Sequence, residues 1–170
     1  MANPAIERDT VHQLAESCSD EGDAFQATAH RLIKGQRRLA RFIEANVTEL
    51  GGVPAQVALY MLSVTLRIFE QVGGRLNKVT GQDIDQAAAK VQGHLADLLP
   101  FDEGFDARAR QLDRAQPHVL DEVLWALYER EEQIEGEASL EPEQSAMVYL
   151  VLWTAVEAID AKWRAPESVS

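Results

Sequence analysis

The sequence predicts an all-α fold, a compact bundle of about six helices. Apolar residues recur with the spacing of an amphipathic helix along nearly the whole chain. Glycine and proline fall mainly between these runs, where helices end and begin. β-Branched residues do not alternate with polar ones over any useful length, so no strand is predicted. A chain of 170 residues can bury one core, and we expect residues 1–170 to form a single domain.

The helix boundaries follow from local sequence. Gly51 and Gly52 end a long second helix, and Thr80 with Asp83 three residues later predicts an N-cap. Pro117 should kink or split the fifth helix, because its ring removes a backbone donor and clashes with the preceding turn. The predicted helices are 6–18, 23–50, 54–72, one that is capped by Thr80 and reaches Leu99, 106–134 and 142–163.

Two short patterns recur and suggest an internal duplication. His12 lies eight residues before Asp20-Glu21-Gly22, and His94 lies eight residues before Asp102-Glu103-Gly104. A Pro-x-Gln-x-Ala pattern begins at Pro54 and again at Pro142. Repeats of this kind decide architecture, so two arrangements stay open. One is a single six-helix bundle, and the other is two pseudo-symmetric three-helix units with an internal repeat of 1–81 and 82–164.

Composition limits the environment and the classes of partner. The longest apolar stretch, 57–66, is interrupted by two hydroxyl residues and is shorter than the roughly 20 residues that cross a bilayer. No secretory leader is visible, and the single cysteine, Cys18, cannot form an internal disulfide. We therefore expect a cytoplasmic protein that does not associate with a membrane. The net charge of −12 disfavours nucleic acid as a partner, since phosphate backbones bind basic surfaces.

No catalytic residue is predicted, and neither a metal nor a cofactor is expected. The chain contains no Gly-x-Ser-x-Gly motif and no phosphate-binding loop. Cys18 precedes an acidic stretch, which should raise the pKa of its thiol and reduce its reactivity. His118 and Glu122 lie one helical turn apart, and Glu157 could lie opposite them. This trio keeps open the alternative of a small-molecule-binding or metal-dependent enzyme with a site between helices.

A cluster of basic residues is the most unusual feature of the sequence. Five of the sixteen basic residues fall between Arg31 and Arg41, whereas 121–143 carries nine acidic residues and one basic residue. On a continuous helix, four of the five share one face, which we call the basic ridge: Arg31, Lys34, Arg38 and Arg41. The ridge can be a solvated helix face, can dock against the acidic segment within or between subunits, or can bind another anionic ligand.

Trp125 is the second candidate binding residue. It points roughly 140° away from the apolar face of its predicted helix, so either a neighbouring helix covers it or it lies in an interface. Together, the basic ridge and Trp125 lead to one function hypothesis. We expect a non-enzymatic interaction or regulatory protein that binds a protein partner or itself, with a homodimer as the expected state.

Overall fold

The computed structural model describes residues 3–129 and 140–167 and confirms the all-α fold. Nine α-helices lie within these residues, joined by short 3₁₀ turns and followed in one place by a π-helical turn at Trp125–Glu129. The helices are α1 (Arg8–Asp20), α2 (Phe25–Gly35), α3 (Arg37–Val47), α4 (Gly52–Val72), α5 (Gly81–Gly93), α6 (Leu95–Leu98), α7 (Phe105–Arg110), α8 (Pro117–Leu124) and α9 (Pro142–Lys162).

Two long helices form the centre of the bundle. α4 and α9 are each 21 residues long and pack against each other. α1, α2 and α3 also pack on α4, while α3, α5 and α8 pack on α9, and α1 closes the bundle against α8. α9 is buried on nearly all sides, because every residue from Val148 to Val156 is buried and these nine residues span all faces of the helix. Its hydrophobic sequence therefore fits a core position.

The chain forms more helices than the six predicted because three of those helices are interrupted. The predicted helix 23–50 breaks at Gln36, whose backbone leaves the helical region at φ −130° and ψ 58° directly after Gly35. The fourth helix breaks at His94, and Pro117 splits the fifth by starting α8. Gly35 and Gly93 stand directly before the first two breaks and Pro117 at the third, so each break has a local cause, because glycine weakens a helix interior and proline fits a first turn. The end of the predicted helix 106–134 lies outside the described residues.

The expectation that the chain has no strand is wrong at one place. β1 (Arg75–Leu76) and β2 (Trp163–Arg164) pair as a two-residue antiparallel ribbon. Gly74 allows this approach, because its φ is +77° and a Cβ there would lie 2.1 Å from the carbonyl oxygen of Arg164. The ribbon is too short for an alternating pattern, so strand prediction has nothing to detect.

The internal duplication stays a prediction. The order of elements is compatible with it, since α4 and α9 are equal in length and each has a proline in its first turn, Pro54 and Pro142. By length and composition α4 could also cross a bilayer, but half of its most apolar stretch is buried inside the fold. A helix at the centre of a bundle has the same composition.

Candidate anion-binding groove

A groove lies at the junction of α2 and α3, where the side chain of Gln36 is hydrogen-bonded to the loop 77–79. The amide nitrogen of Gln36 donates to the carbonyl of Asn77 at 3.2 Å, and its amide oxygen accepts from the backbone N–H of Val79 at 3.0 Å. The loop 77–79 is also bonded to the end of α9, because the N–H of Asn77 donates to the carbonyl of Lys162 at 3.1 Å. Val79 is buried and the adjacent Lys78 is exposed, so the loop presents a cation beside the helix break.

The groove has a volume of about 630 Å³ and is open to solvent. Gly35, Gln36, Val79 and Thr80 contribute to its walls, and the charged part of the lining consists only of cations. We call the concavity the basic groove, and its five exposed cations are Lys34, Arg37, Arg38, Arg41 and Lys78. In residues 3–129 and 140–167, no carboxylate oxygen lies within 4.0 Å of any of these five side chains.

At one end of the basic groove, Arg38 lies against the first residue of α5. A Cβ built on Gly81 would lie 3.2 Å from Nη1 of Arg38. The predicted cap of α5 is confirmed. The N–H of Thr80 donates to Oδ2 of Asp83 at 2.8 Å, and the N–H of Asp83 donates to Oγ1 of Thr80 at 3.2 Å. The N–H groups of the two residues between them point away from the helix, where no preceding turn supplies acceptors.

The structure places three of the four residues of the basic ridge in the groove. Lys34, Arg38 and Arg41 line it, but Arg31 forms two parallel hydrogen bonds with Glu70 of α4, at 2.8 and 2.9 Å. These bonds, with a further one from Arg67, lower the pKa of Glu70 to about 2. Arg31 therefore has a partner within the chain.

Trp125 contacts the neighbouring helix α1. It is half-buried at the start of the π-helical turn and meets the ring of His12 edge-on, with the ring centroids 5.2 Å apart. Nδ1 of His12 lies 3.0 Å from the Oε1 atom of Glu122, a buried carboxylate that also pairs with Arg8. This hydrogen bond to Glu122 raises the pKa of His12. The helix α1 therefore covers part of Trp125, and a role of Trp125 in an interface stays a prediction.

The acidic residues of 121–143 that the structure describes around α8 are paired within the chain. Asp121 lies 2.8 Å from Nη2 of the buried Arg114, and Glu129 lies 3.0 Å from Nη1 of Arg110. Glu141 and Glu143 are exposed at the start of α9. Residues 130–139, which carry most of the remaining acidic side chains of this segment, lie outside the described residues.

His118, Glu122 and Glu157 do not form one ligand set. Glu122 faces α1, whereas Glu157 accepts from the Nζ atom of Lys90 at 3.0 Å and from the N–H of Ala115 at 2.7 Å. Within the described part of the chain, no group of three or more His, Cys, Asp or Glu side chains is placed to hold a metal ion. Cys18 is buried, and burial first and Glu21 second raise the pKa of its thiol to about 11.

Sequence analysis missed half of the groove. Arg37 lies off the predicted ridge face, and Lys78 and Thr80 lie about forty residues further along the chain. The only local indication was Gly35, which weakens the helix just where its direction changes. No pattern in the sequence indicates that Gln36 forms hydrogen bonds with the loop 77–79.

Comparison with known proteins gives no further guide to function. No family model matches the chain, and neither the curated proteins nor the solved structures include a match. The fold and the groove together define an all-α bundle with one concentrated cationic surface.

Proposed function

We propose that this chain is a non-enzymatic interaction domain that binds an acidic segment of a partner protein in the basic groove. The observation that supports this function is the uneven pairing of basic residues. Eight of the described lysines and arginines have a carboxylate oxygen within 4.0 Å. Seven have no carboxylate oxygen of residues 3–129 and 140–167 within that distance, and five of those seven line the groove.

This pairing pattern matters because the protein has an excess of acid. With 28 acidic and 16 basic residues, a basic side chain has many possible carboxylate neighbours. Most of the described lysines and arginines outside the groove lie within 4.0 Å of one. Five cations gathered around one concavity repel each other and attract an anionic partner. Such a surface acts mainly by speeding and orienting the encounter, and its contribution falls as salt rises.

Protein fits the groove better than nucleic acid does. The overall charge of −12 opposes a long phosphate backbone away from the groove. The lining also includes no aromatic side chain on which a base could stack. A short acidic peptide segment reaches the cations without bringing a polyanion against the rest of the surface.

The experiment is fluorescence anisotropy with a labelled peptide of ten glutamates, at 50 mM and 500 mM salt. The wild-type protein should bind at low salt and lose most of the affinity at high salt. Lys34→Glu with Arg41→Glu should weaken binding about tenfold or more at low salt, since reversing two cations lowers the local charge by four units.

The matched control reverses two exposed cations outside the lining, Arg75→Glu with Arg164→Glu. It makes the same change in net charge and should alter the affinity less than about twofold, because exposed charges are screened within roughly 8–10 Å at physiological salt. Equal losses in the two double variants would show that net charge, and not the groove, controls binding, and would refute the proposal.

A second copy of the chain is the other candidate partner. The sequence supplies its own acidic segment, with six acidic residues between Glu131 and Glu143 and no basic residue among them. We propose a homodimer in which this segment meets the basic groove of the other copy. Light scattering at low salt should give a dimer mass for the wild type and a monomer mass for Lys34→Glu with Arg41→Glu. A wild-type monomer at low salt would reject self-association but leave binding of a different protein partner standing.

A further inference from the structure

Two glutamines hold extended segments of the chain in the same way, and each glutamine stands directly before a helix. Gln36 precedes α3, and its side-chain amide binds the first carbonyl and the last N–H of the loop 77–79. Gln116 precedes α8, and its amide binds the carbonyl of Pro4 and the N–H of Ile6. In both cases the amide nitrogen donates to one residue and the amide oxygen accepts from the residue two positions further on. We call these contacts the glutamine clasps.

The clasped segments lead into matching elements. The loop 77–79 precedes α5 and the segment 4–6 precedes α1, and both helices are 13 residues long. The last residue of each segment, Val79 or Ile6, is buried. Each glutamine is followed by a helix that packs on a 21-residue helix, α3 on α4 and α8 on α9. Each half of the chain therefore holds the start of the other, and such reciprocal contacts are typical of a twofold interface.

The ribbon of β1 and β2 fits the same arrangement. β1 follows α4 and β2 follows α9, and Arg75 lies opposite Arg164 while Leu76 lies opposite Trp163. Exchanging the two strands, first residue for first and second for second, converts one pair into the other. The two Pro-x-Gln-x-Ala patterns of α4 and α9 also precede their strands by the same number of residues. The register of the ribbon is thus twofold symmetric.

The two halves differ between these matching elements. α2 has 11 residues, whereas the second half has the short helices α6 and α7 in this place. His12 lies within α1 and His94 directly follows α5, so these two histidines are not equivalent. The boundary between the halves lies between Leu76 and Asn77, slightly before the one that the sequence patterns predicted.

The surface around Gln116 that corresponds to the basic groove has only one basic residue among the five matching positions. These positions are counted from the two glutamines and from the two clasped segments. For Lys34, Arg37, Arg38, Arg41 and Lys78 in turn, the matching residues are Arg114, Pro117, His118, Asp121 and Ala5. Arg114 is buried and lies 2.8 Å from Asp121, so its charge already has a partner.

This difference separates what the fold requires from what the groove offers. Around Gln116, the clasp, the helix start and the packing on a long helix all form without exposed lysine or arginine at these five positions. The fold therefore does not require the exposed cations at the matching positions of the groove, where five like charges repel each other. Such a concentration of charge fits a surface that receives an anionic partner.

We infer that the chain consists of two equivalent units, 3–76 and 77–164, and that only the first carries the partner-binding surface. The second unit is described except for 130–139. The units hold each other through the glutamine clasps, and an acidic segment binds once per chain. The equivalence of the units is independent of the proposed function, whereas the single binding surface rests on it.

Residues of the second unit placed after Gln36 test the equivalence. Arg37→Pro with Arg38→His installs the matching pair, with proline at the first position of α3. Proline fits a first turn, so the Tm should change by less than about 3 °C. The matched variant, Arg41→Pro with Arg38→His, loses the same charge but has its proline inside α3. Its Tm should fall by about 6–12 °C, because an interior proline removes a backbone hydrogen bond and clashes with the preceding turn.

An equal fall of Tm in the two proline variants would refute the equivalence of the units. Titration with the ten-glutamate peptide at 50 mM salt tests the binding surface. The wild type should bind one peptide per chain, and two per chain would show that the second unit also binds and would overturn the single surface.

The affinity of the Arg37→Pro with Arg38→His variant for this peptide should be about fivefold lower or less than that, because two groove cations are lost. The control for charge, Arg75→Ala with Arg164→Ala, loses two exposed cations outside the groove and should change the affinity less than twofold. Equal losses would show that Arg37 and Arg38 do not distinguish the two surfaces. If the wild type binds no peptide, the proposed function and the single surface both fail, while the two Tm values still decide whether the units are equivalent.

Discussion

The basic groove and a partly buried polar cluster at α9 use polar side chains in opposite ways. In the cluster, which consists of Gln116, Glu157, Asp160 and their partners, acceptors and donors meet inside the chain. Glu157 accepts three hydrogen bonds, from Lys90, from the N–H of Ala115 and from the indole N–H of Trp153. In the groove, five cations stand exposed with no described carboxylate within 4.0 Å. The cluster uses its polar groups within the fold, whereas the exposed cations of the groove are the ones that we propose to bind an acidic segment.

Gln116 is the residue whose loss should separate the two regions most clearly. It is buried in a left-handed conformation at φ 52° and ψ 61°. Its side chain accepts from the N–H of Ile6 at 2.9 Å and donates to the carbonyl of Pro4 and to Asp160, both at 3.0 Å. Gln116→Ala should lower the free energy of unfolding by about 2–4 kcal/mol, because one buried and two partly buried hydrogen bonds are lost. Binding of the acidic peptide should not change.

Gln116→Gly provides the control for backbone strain. It loses the same three hydrogen bonds but accepts the left-handed conformation at no steric cost, so it should be more stable than the alanine variant by up to about 1 kcal/mol. Urea denaturation of the three proteins would measure both differences. A weaker peptide affinity in either variant at a temperature where it is folded would show that the two regions are coupled.

Glu70 sharpens the comparison, because it gives Arg31 a carboxylate partner, and no described carboxylate lies within 4.0 Å of the groove cations. The pKa of Glu70 is lowered from 4.5 to about 2, so its contribution to stability is present above about pH 4.5 and is lost as the pH falls towards 2. The pair is partly exposed, which limits the contribution to under about 1 kcal/mol. Glu70→Gln should therefore reduce the Tm at pH 6 slightly and at pH 2.5 hardly at all. An equal loss of Tm at both pH values would contradict the assignment.

His12 should give the smallest effect, and one of opposite sign. The hydrogen bond to Glu122 raises the pKa of His12 above 6.5, against burial, with Glu16 adding to the rise and Arg8 opposing it. Its contribution is complete below pH 6.5 and is lost as the pH rises through the folded pKa. In His12→Gln the side chain does not titrate, so the variant should lower the Tm more at pH 5.5 than at pH 8.5. The difference between the two pH values should correspond to less than about 1 kcal/mol of unfolding free energy. A larger loss at pH 8.5 would reverse this interpretation.

The elements that sequence analysis predicted are those decided within a few residues of chain. The Thr80–Asp83 cap, the split at Pro117 and the start of α9 at Pro142 all depend on local sterics and local hydrogen bonds. Gly35 indicates locally that the helix can break at Gln36, but the hydrogen bonds that hold Gln36 there go to a loop about forty residues away, and no local pattern reveals them. The same limit applies to Arg31, which pairs with Glu70 of α4 and does not line the groove with the rest of the ridge.

The hydrogen bond between the loop 77–79 and Lys162 affects when the groove forms during synthesis of the chain. All five cations of the basic groove lie between Lys34 and Lys78, in the first half of the chain. One wall of the groove, however, is held by the carbonyl of Lys162, and the ribbon just before that loop pairs with Trp163 and Arg164. During synthesis these residues emerge from the ribosome long after the cations. A nascent chain therefore carries the charge of the groove before residues 162–164 hold the loop 77–79 in place, and the binding that we propose for the groove should require those residues to have docked.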